Sequence, residues 1–414
     1  MKNEIESSGR PPRGVSRRHL LRTSATAGVA ASAGCVGRFT EDEGDTVFIF
    51  NTGDMTVSLI DPADDEVVTT THLGATSSFP SNQYSPRLAD EEEEVLWLNV
   101  GEGVRAVRVD TLETVAEVET GSEANWLERT PDGTHLVVSA REPAHRQFRI
   151  DADPASQNFG EITGEIDRTD EEAIEDRDGV GPCDITFEPD GEYGFVPDLY
   201  GNTLTVLRTE PFEIATQVEV DPIGDDHTQP WMGTAGWNGE ICMIENNEGE
   251  HGTESIWDVS DPDAPEEIAR LTSEDGLGEG ALTSEIGPDD ETAYVFTPGT
   301  EDVSVIDIPE QTVTDRLDLG GQAFTGTWDP TREKLYVPVQ TADEVAVITD
   351  GEREITERIS VGSGPNGATA SSIRPDSDAI NESMATLASL GVVSGGEPTH
   401  CVGECYCTPV ENEE

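Results

Sequence analysis

The chain repeats itself at a fixed offset of 42 residues near its C-terminal end. Tyr294-Val295 recurs as Tyr336-Val337, and the segment Val303–Asp307 recurs as Val345–Thr349. Each copy has two short runs of β-branched and aromatic residues separated by a polar loop, which is typical of β-strands joined by a turn. A repeat of this length with several strands per unit constrains the chain to a series of small, similar sheets.

Seven such units follow one another between residues 45 and 376. The first runs are 47–50, 95–100, 136–139, 193–196, 241–244, 293–296 and 335–339, and the second runs are 57–60, 104–109, 147–150, 204–207, 255–259, 303–306 and 345–348. Turn sequences such as Pro131-Asp132-Gly133 precede several first runs. We therefore expect an all-β fold, a seven-bladed β-propeller of four-stranded antiparallel blades. A spare run at 367–376 should complete the first blade and close the ring.

The repeat resembles the YVTN type of β-propeller repeat, a relative of the WD40 type. The best matches are 291–333 and 334–376, and 45–74 and 192–220 match more weakly. The segment Ile256–Pro262 is similar to a related surface-protein repeat that reads "VDVSDP". This resemblance implies the propeller fold and says almost nothing about activity, because propellers have many functions.

Acidic residues dominate the composition. The chain has 86 acidic and 24 basic residues, a net charge of −62, and only two lysines. Such a charge repels nucleic acid, so we expect no nucleic-acid partner. Because the excess is spread along the chain, we interpret it as a surface adapted to high salt, and the composition resembles that of haloarchaeal proteins. A binder of cations or basic partners is the other interpretation.

The first 34 residues differ, since they carry six basic and two acidic residues. Arg17-Arg18 and the residues after them resemble a twin-arginine export signal, and Gly34-Cys35 at its end resembles a lipoprotein cleavage box. We predict a signal peptide at 1–34, a lipid anchor on Cys35 and a tether at 35–44. An unmodified Cys35 is the alternative. The protein would then lie at the outer face of the cytoplasmic membrane.

Two segments do not follow the repeat. Residues 165–179 form an acidic insertion that we interpret as a solvated loop, since its spacing does not match an EF-hand calcium site. Residues 377–414 form a C-terminal tail. The spacing of Ile380, Met384 and Leu387 predicts a short amphipathic helix at about 378–390.

The tail ends in a cluster of soft metal ligands: His400, Cys401, Cys405 and Cys407. Thiolates and imidazole suit copper or another thiolate-bound metal, but the spacing matches no standard zinc site. A disulfide is the competing interpretation for an exported protein, and free thiols are a third.

Three histidines and one cysteine fall in loops that should open on one face of the propeller, around its channel: His145, His227, His251 and Cys183. They are candidates to hold a cofactor, and the resemblance to haem d1 propellers implies a haem-like group. Ordinary loop residues are the competing interpretation.

The sequence therefore favours a lipid-anchored extracellular binding or scaffold module that is not an enzyme. The alternative is a redox or metal-handling protein, an oxidoreductase if it is an enzyme, that holds copper or a haem-like cofactor at the channel face and the tail. The ligand and the oligomeric state do not follow from the sequence.

Overall fold

A computed structural model describes residues 42–73, 77–81, 95–174, 177–224 and 227–376, which form 27 strands and two single 3-10 turns. In chain order the strands are β1 Asp42–Asn51, β2 Thr56–Asp61, β3 Glu66–His72, β4 Val95–Val100, β5 Gly103–Arg108, β6 Thr114–Glu119, β7 Asn125–Arg129, β8 His135–Ala140, β9 Arg146–Asp151, β10 Ile162–Asp167, β11 Thr186–Phe187, β12 Tyr193–Asp198, β13 Thr203–Arg208, β14 Glu213–Glu219, β15 Pro230–Ala235, β16 Ile241–Asn246, β17 Thr253–Asp258, β18 Glu266–Leu271, β19 Thr283–Ile286, β20 Thr292–Thr297, β21 Asp302–Asp307, β22 Thr312–Asp318, β23 Thr327–Trp328, β24 Lys334–Val339, β25 Glu344–Thr349, β26 Glu354–Ser360 and β27 Pro365–Arg374.

The strands form seven antiparallel sheets, the blades of a β-propeller. From the inner strand outwards, blade 1 is β27-β1-β2-β3, blade 3 is β7 to β10, and blades 4 to 7 take β11 to β26 in sets of four. Blade 2 is β4-β5-β6, and residues 77–81 run along its inner edge, where the Ser81 amide donates to the Trp97 carbonyl (3.0 Å). The predicted fold class is thus confirmed, and every predicted run falls on a strand.

Ring closure follows the prediction as well. β27 pairs antiparallel with β1 over most of its length, with Phe48 opposite Thr369 and Ile49 opposite Ala368. The last described strand therefore supplies the inner strand of the first blade. This pairing leaves β1 without an open edge.

Each pair of neighbouring blades buries its own apolar layer. Between blades 6 and 7, Tyr294, Phe296 and Val303 pack in one cluster with Leu335 and Val337, and all five are fully buried. These are residues of the 42-residue repeat. The repeat is therefore visible in the sequence because each unit must bury its face against the next one.

The acidic insertion begins later than predicted. Residues 165–167 belong to β10, the outer strand of blade 3. Arg168 follows with a fully buried guanidinium, which bonds Asp198 (Nη1 to Oδ1, 2.7 Å) and Glu171 (Nε to Oε1, 2.7 Å). The interpretation of this stretch as solvated loop was wrong at its start, because the arginine neutralises a carboxylate that would otherwise be buried alone.

Candidate functional site

A small cavity lies in the channel where the inner segments of blades 2 to 7 meet. It measures about 60 Å³, and its wall carries carboxylates, hydroxyls and aromatic rings. Four of the inner segments each contribute three consecutive residues to its wall, as with Trp126, Leu127 and Glu128 on β7.

Asp184 is an acidic residue of the cavity wall whose pKa departs from its usual value. It lies just before β11, and its Oδ2 accepts a hydrogen bond from the Gly233 amide of blade 5 (3.1 Å). Burial raises the pKa of Asp184 to about 7, although the amides of Gly233 and Ile185 lower it in part. The carboxyl therefore changes charge near neutral pH.

Two further acids share the cavity wall. Glu128 is buried, and its Oε1 accepts hydrogen bonds from the Ser81 hydroxyl and the Arg129 amide (both 3.2 Å). Glu285 of β19 is buried on another side. The described wall carries no lysine, arginine or histidine. The cavity is therefore an acidic compartment, whose wall also includes apolar side chains such as Leu127 and Ile185.

An apolar cap joins the blades around this compartment. Phe79, Trp126, Met232, Leu282 and Phe324 come from five blades and belong to one buried cluster. The rings of Phe79 and Trp126 lie 6.2 Å apart. Desolvation within the cavity wall raises the pKa of Asp184, although this residue keeps part of its surface accessible.

Cys183 and Arg141 lie at the junction of blades 3 and 4, beside the cap. The Arg141 guanidinium is fully buried, 5.0 Å from the centre of the Trp126 ring and 3.8 Å (Nη1) from the Cys183 sulfur. Its Nε donates to Glu142 Oε2 (2.5 Å), and the Tyr200 hydroxyl donates to the other oxygen. Burial alone would raise the pKa of Glu142, but Arg141 and Tyr200 hold it below its usual range.

His145 belongs to this same corner. Its amide donates to the Arg141 carbonyl (2.7 Å), and its Nδ1 accepts from the Gly181 amide (3.2 Å). Burial lowers the pKa of His145, so the ring is neutral near pH 7. The structure therefore brings together two of the four predicted channel-face residues, His145 and Cys183.

The other two predicted residues lie at two different blade junctions. His227 precedes blade 5, and its Nδ1 is 3.2 Å from the Asn202 amide nitrogen. His251 lies between β16 and β17, with its Nδ1 3.6 Å from Glu279 Oε1, and lines a separate cavity of about 240 Å³. As predicted, all four residues are in loops that precede inner strands or join second and third strands. Each histidine has its own local partner.

Several predicted residues lie outside the described part of the chain. These are the export arginines Arg17 and Arg18, the lipid-anchor Cys35, the predicted helix at 378–390, and His400, Cys401, Cys405 and Cys407. Within the described ranges, Cys183 and Cys242 are buried, and no three His, Cys, Asp or Glu side chains are arranged as a metal cluster. None of the described residues forms a helix long and apolar enough to span a membrane.

Sequence reasoning missed the acidic compartment. Asp184 follows Cys183 directly, and Glu128 stands two residues after a buried tryptophan. The available signal was an acidic residue inside a run that otherwise points into the protein. In a chain with 86 acidic residues this signal is weak, because a single carboxylate does not stand out.

No protein-family model matches the chain, and no curated protein matches it at the threshold applied. Solved structures do match. A functionally unknown protein from Desulfotomaculum acetoxidans has a TM-score of 0.61 at 14% identity, over 80% of this chain and 99% of that one. The periplasmic gluconolactonase of Pseudomonas aeruginosa has a TM-score of 0.61 at 15% identity, over 79% and 99%.

A dihydro-haem d1 dehydrogenase is also similar, with a TM-score of 0.51 at 14% identity over 82% of this chain and 78% of that one. At such identities the likeness concerns the fold alone. The neighbours include lactonase and haem-related propellers, so the fold is shared by proteins of different activity.

Proposed function

We propose that the chain acts as an exported binding module at the cell surface, and that the channel cavity is where it recognises its ligand. The ligand class that fits is a small cation, such as a primary ammonium group. The proposal of export is based on the twin-arginine and lipobox residues of the first 35 positions. The acidic composition suits a high-salt exterior. The observation that carries the proposal is the group of carboxylates around a cavity whose described wall has no basic residue.

Electrostatics supports a positive ligand. Burial penalises the ionised form of Asp184, which is why its pKa is raised to about 7. A cation bound beside this carboxylate favours the ionised form and compensates that penalty. An anionic ligand would add a like charge beside Glu128 and Glu285 instead.

The volume of the cavity limits the size of the ligand. An apolar cavity of roughly 150 Å³ holds a benzene molecule. The channel cavity measures about 60 Å³ and admits a few water molecules or one small ammonium ion. A sugar lactone exceeds this volume, so we do not extend a lactonase activity to the chain. The three candidate histidines, His145, His227 and His251, lie at three different blade junctions, so their arrangement does not favour a shared redox cofactor.

Binding of methylammonium, dimethylammonium and tetramethylammonium ions, measured by calorimetry in molar KCl, tests this proposal. We expect saturable binding of the smallest ion that strengthens as pH rises through about 7, where Asp184 ionises. Asp184→Asn should weaken it by about tenfold, about 1.4 kcal/mol. The exposed acid Asp64 provides the control variant Asp64→Asn, which should change affinity by less than about twofold.

Equal, non-saturable uptake by the wild type and Asp184→Asn would show that the ions collect on the acidic surface only, and would reject the channel site. A visible absorbance band or a stoichiometric transition metal in the purified full chain would instead favour the redox alternative.

A further inference from the structure

Two glutamates face each other inside the protein, between blades 5 and 6. Glu245 of β16 and Glu254 of β17 are directly opposite in the antiparallel register, so their side chains lie on the same face of the sheet. Both are fully buried, and none of their four carboxyl oxygens makes a hydrogen bond of normal geometry with a described residue, although the Glu245 amide and the Ser284 hydroxyl lie near enough to Glu245 to favour its ionised form. Met243, Ile256 and Leu271 pack in the apolar cluster of that interface.

The fold does not require acids at this position. The same paired position in the other blades holds Phe50 and Val57, Asn99 and Val104, Ser139 and Gln147, Pro197 and Leu204, Phe296 and Val303, and Pro338 and Val345. Only blade 5 places two ionisable side chains there. Because six other blades form with neutral pairs, the glutamates need an explanation other than folding.

Two carboxylates without a counter-ion are costly to bury. The nearest basic group is Arg270, but its Nη1 bonds Glu248 (2.7 Å) and its Nε bonds Glu267 (2.6 Å). Burial raises the pKa of Glu245 to about 8 and that of Glu254 well above its usual range. Arg270 lowers the pKa of Glu254 only in part, so most of the compensation for this pair is left to protons or to a bound cation.

A third buried oxygen adjoins the pair. Ser284 of β19 is 3% exposed, and its hydroxyl makes no hydrogen bond of normal geometry in the described structure. It lies close enough to Glu245 to favour the ionised carboxylate. Ser284 also lines the channel cavity, so it connects the pair to a route for ions.

We propose that Glu245, Glu254 and Ser284 form a site for one hard divalent cation of the size of Ca²⁺. Two carboxylates neutralise its charge, and up to five unpartnered oxygens from three strands provide the oxygen ligands that this class of ion prefers. Mg²⁺ fits less well, because it keeps several waters and demands octahedral geometry. The site does not include Asp184, but the negative charge of Asp184 raises the pKa of Glu245 and so couples the two sites.

The test is thermal unfolding of the full chain in molar KCl, with EDTA and then with CaCl2. We expect Ca²⁺ to raise the wild-type Tm by about 3 °C or more at saturation. Glu245→Gln/Glu254→Gln should abolish this shift, and Glu254→Gln alone should weaken Ca²⁺ binding at least about tenfold. Calorimetry in buffers of different ionisation enthalpy should detect proton release on binding near pH 7, because Ca²⁺ displaces the protons from the carboxyls.

A control separates this site from the surface. Glu119→Gln/Glu219→Gln removes two exposed acids of outer strands and should keep the full Ca²⁺ shift. MgCl2 at equal concentration should give a smaller shift. An equal Ca²⁺ response in the wild type and Glu245→Gln/Glu254→Gln would overturn the proposal in favour of surface binding. No response in either protein would also overturn it, since the pair would then hold protons only.

Discussion

Blades 4 and 5 each bury carboxylate near the end of their second strand, but they compensate it differently. In blade 4, Asp198 accepts hydrogen bonds from Arg168 (2.7 and 3.0 Å), from Thr203 (2.7 Å) and from Thr205 (2.5 Å). In blade 5, Glu245 and Glu254 have no such donors among the described residues. The carboxylate of blade 4 receives its counter-ion from the segment that follows blade 3, whereas the two carboxylates of blade 5 have no such fixed partner among the described residues.

Two neighbouring blades of one repeat can therefore bury carboxylates with a fixed counter-ion or without one. A fixed arginine makes the carboxylate of blade 4 independent of the medium. We expect the acids of blade 5 to respond to pH and, if the proposed site binds a metal ion, to cations, because no fixed counter-ion compensates their ionised forms.

Removing the fixed counter-ion should have the largest effect. Arg168→Met leaves Asp198 and Glu171 uncompensated, and we expect the free energy of unfolding to fall by about 3–5 kcal/mol. Urea unfolding at constant ionic strength measures this change. Arg146→Met is the matched control, since Arg146 makes exposed ion pairs with Glu165 and Asp167 and should cost less than about 1 kcal/mol. Equal losses in both variants would remove the distinction between the blades.

Converting blade 5 toward the pattern of blade 6 should have an intermediate and opposite effect. In EDTA at pH 8, Glu254→Val should raise the free energy of unfolding by about 1–3 kcal/mol. Since the folded-state pKa values of the pair are raised, the folded protein binds more protons than the unfolded chain above pH 4.5, so wild-type stability falls as pH rises toward about 8.

The variant should therefore gain little at pH 5 and most at pH 8, as measured by urea unfolding across that range. A gain that does not depend on pH would mean that valine acts through packing alone. Glu219→Gln, an exposed change, should leave the pH dependence as it is.

The smallest expected effect concerns salt. Lowering the KCl concentration should destabilise the wild type, because a net charge of −62 is screened less as the Debye length grows from about 3 Å at 1 M to about 10 Å at 0.1 M salt. In EDTA, Glu245→Gln/Glu254→Gln should follow the same salt dependence within about 0.5 kcal/mol, because buried groups are screened little. Thermal scans over a KCl series measure this. If the stability of the variant depended much less on KCl concentration than that of the wild type, Glu245 and Glu254 would have to be in contact with solvent.

The sequence predicted the blades well because the repeat encodes them. Alternating runs such as Val303–Ile306 are needed in every unit to bury one face, and Pro-Asp-Gly turns separate the strands, as where the Gly133 amide bonds the Thr130 carbonyl (2.8 Å) with φ of +74°. Ring closure was predicted from a single spare run. Regular patterns of this kind can be recognised in a sequence without knowing which distant residues are in contact.

The acidic compartment and the Glu245–Glu254 pair could not be predicted in the same way. Whether a carboxylate is buried alone or paired depends on residues far away in the sequence, such as Arg168 beside Asp198. The pair does leave one trace: Glu254 stands where other units have Val57, Val303 or Val345. The substitution becomes visible when the seven units are aligned by the pairing of their strands and not by their sequence motifs.

The pairing of β27 with β1 has a mechanical consequence. Asp42 and Arg374, near the two ends of the described propeller, are partners in one ladder. Any tether before residue 42 and any tail after residue 374 thus leave from the same blade. A force pulling these two extensions apart would load the hydrogen bonds of that ladder before any other sheet. The hydrogen bonds between β1 and β27 therefore determine how much tension the propeller ring withstands before it opens.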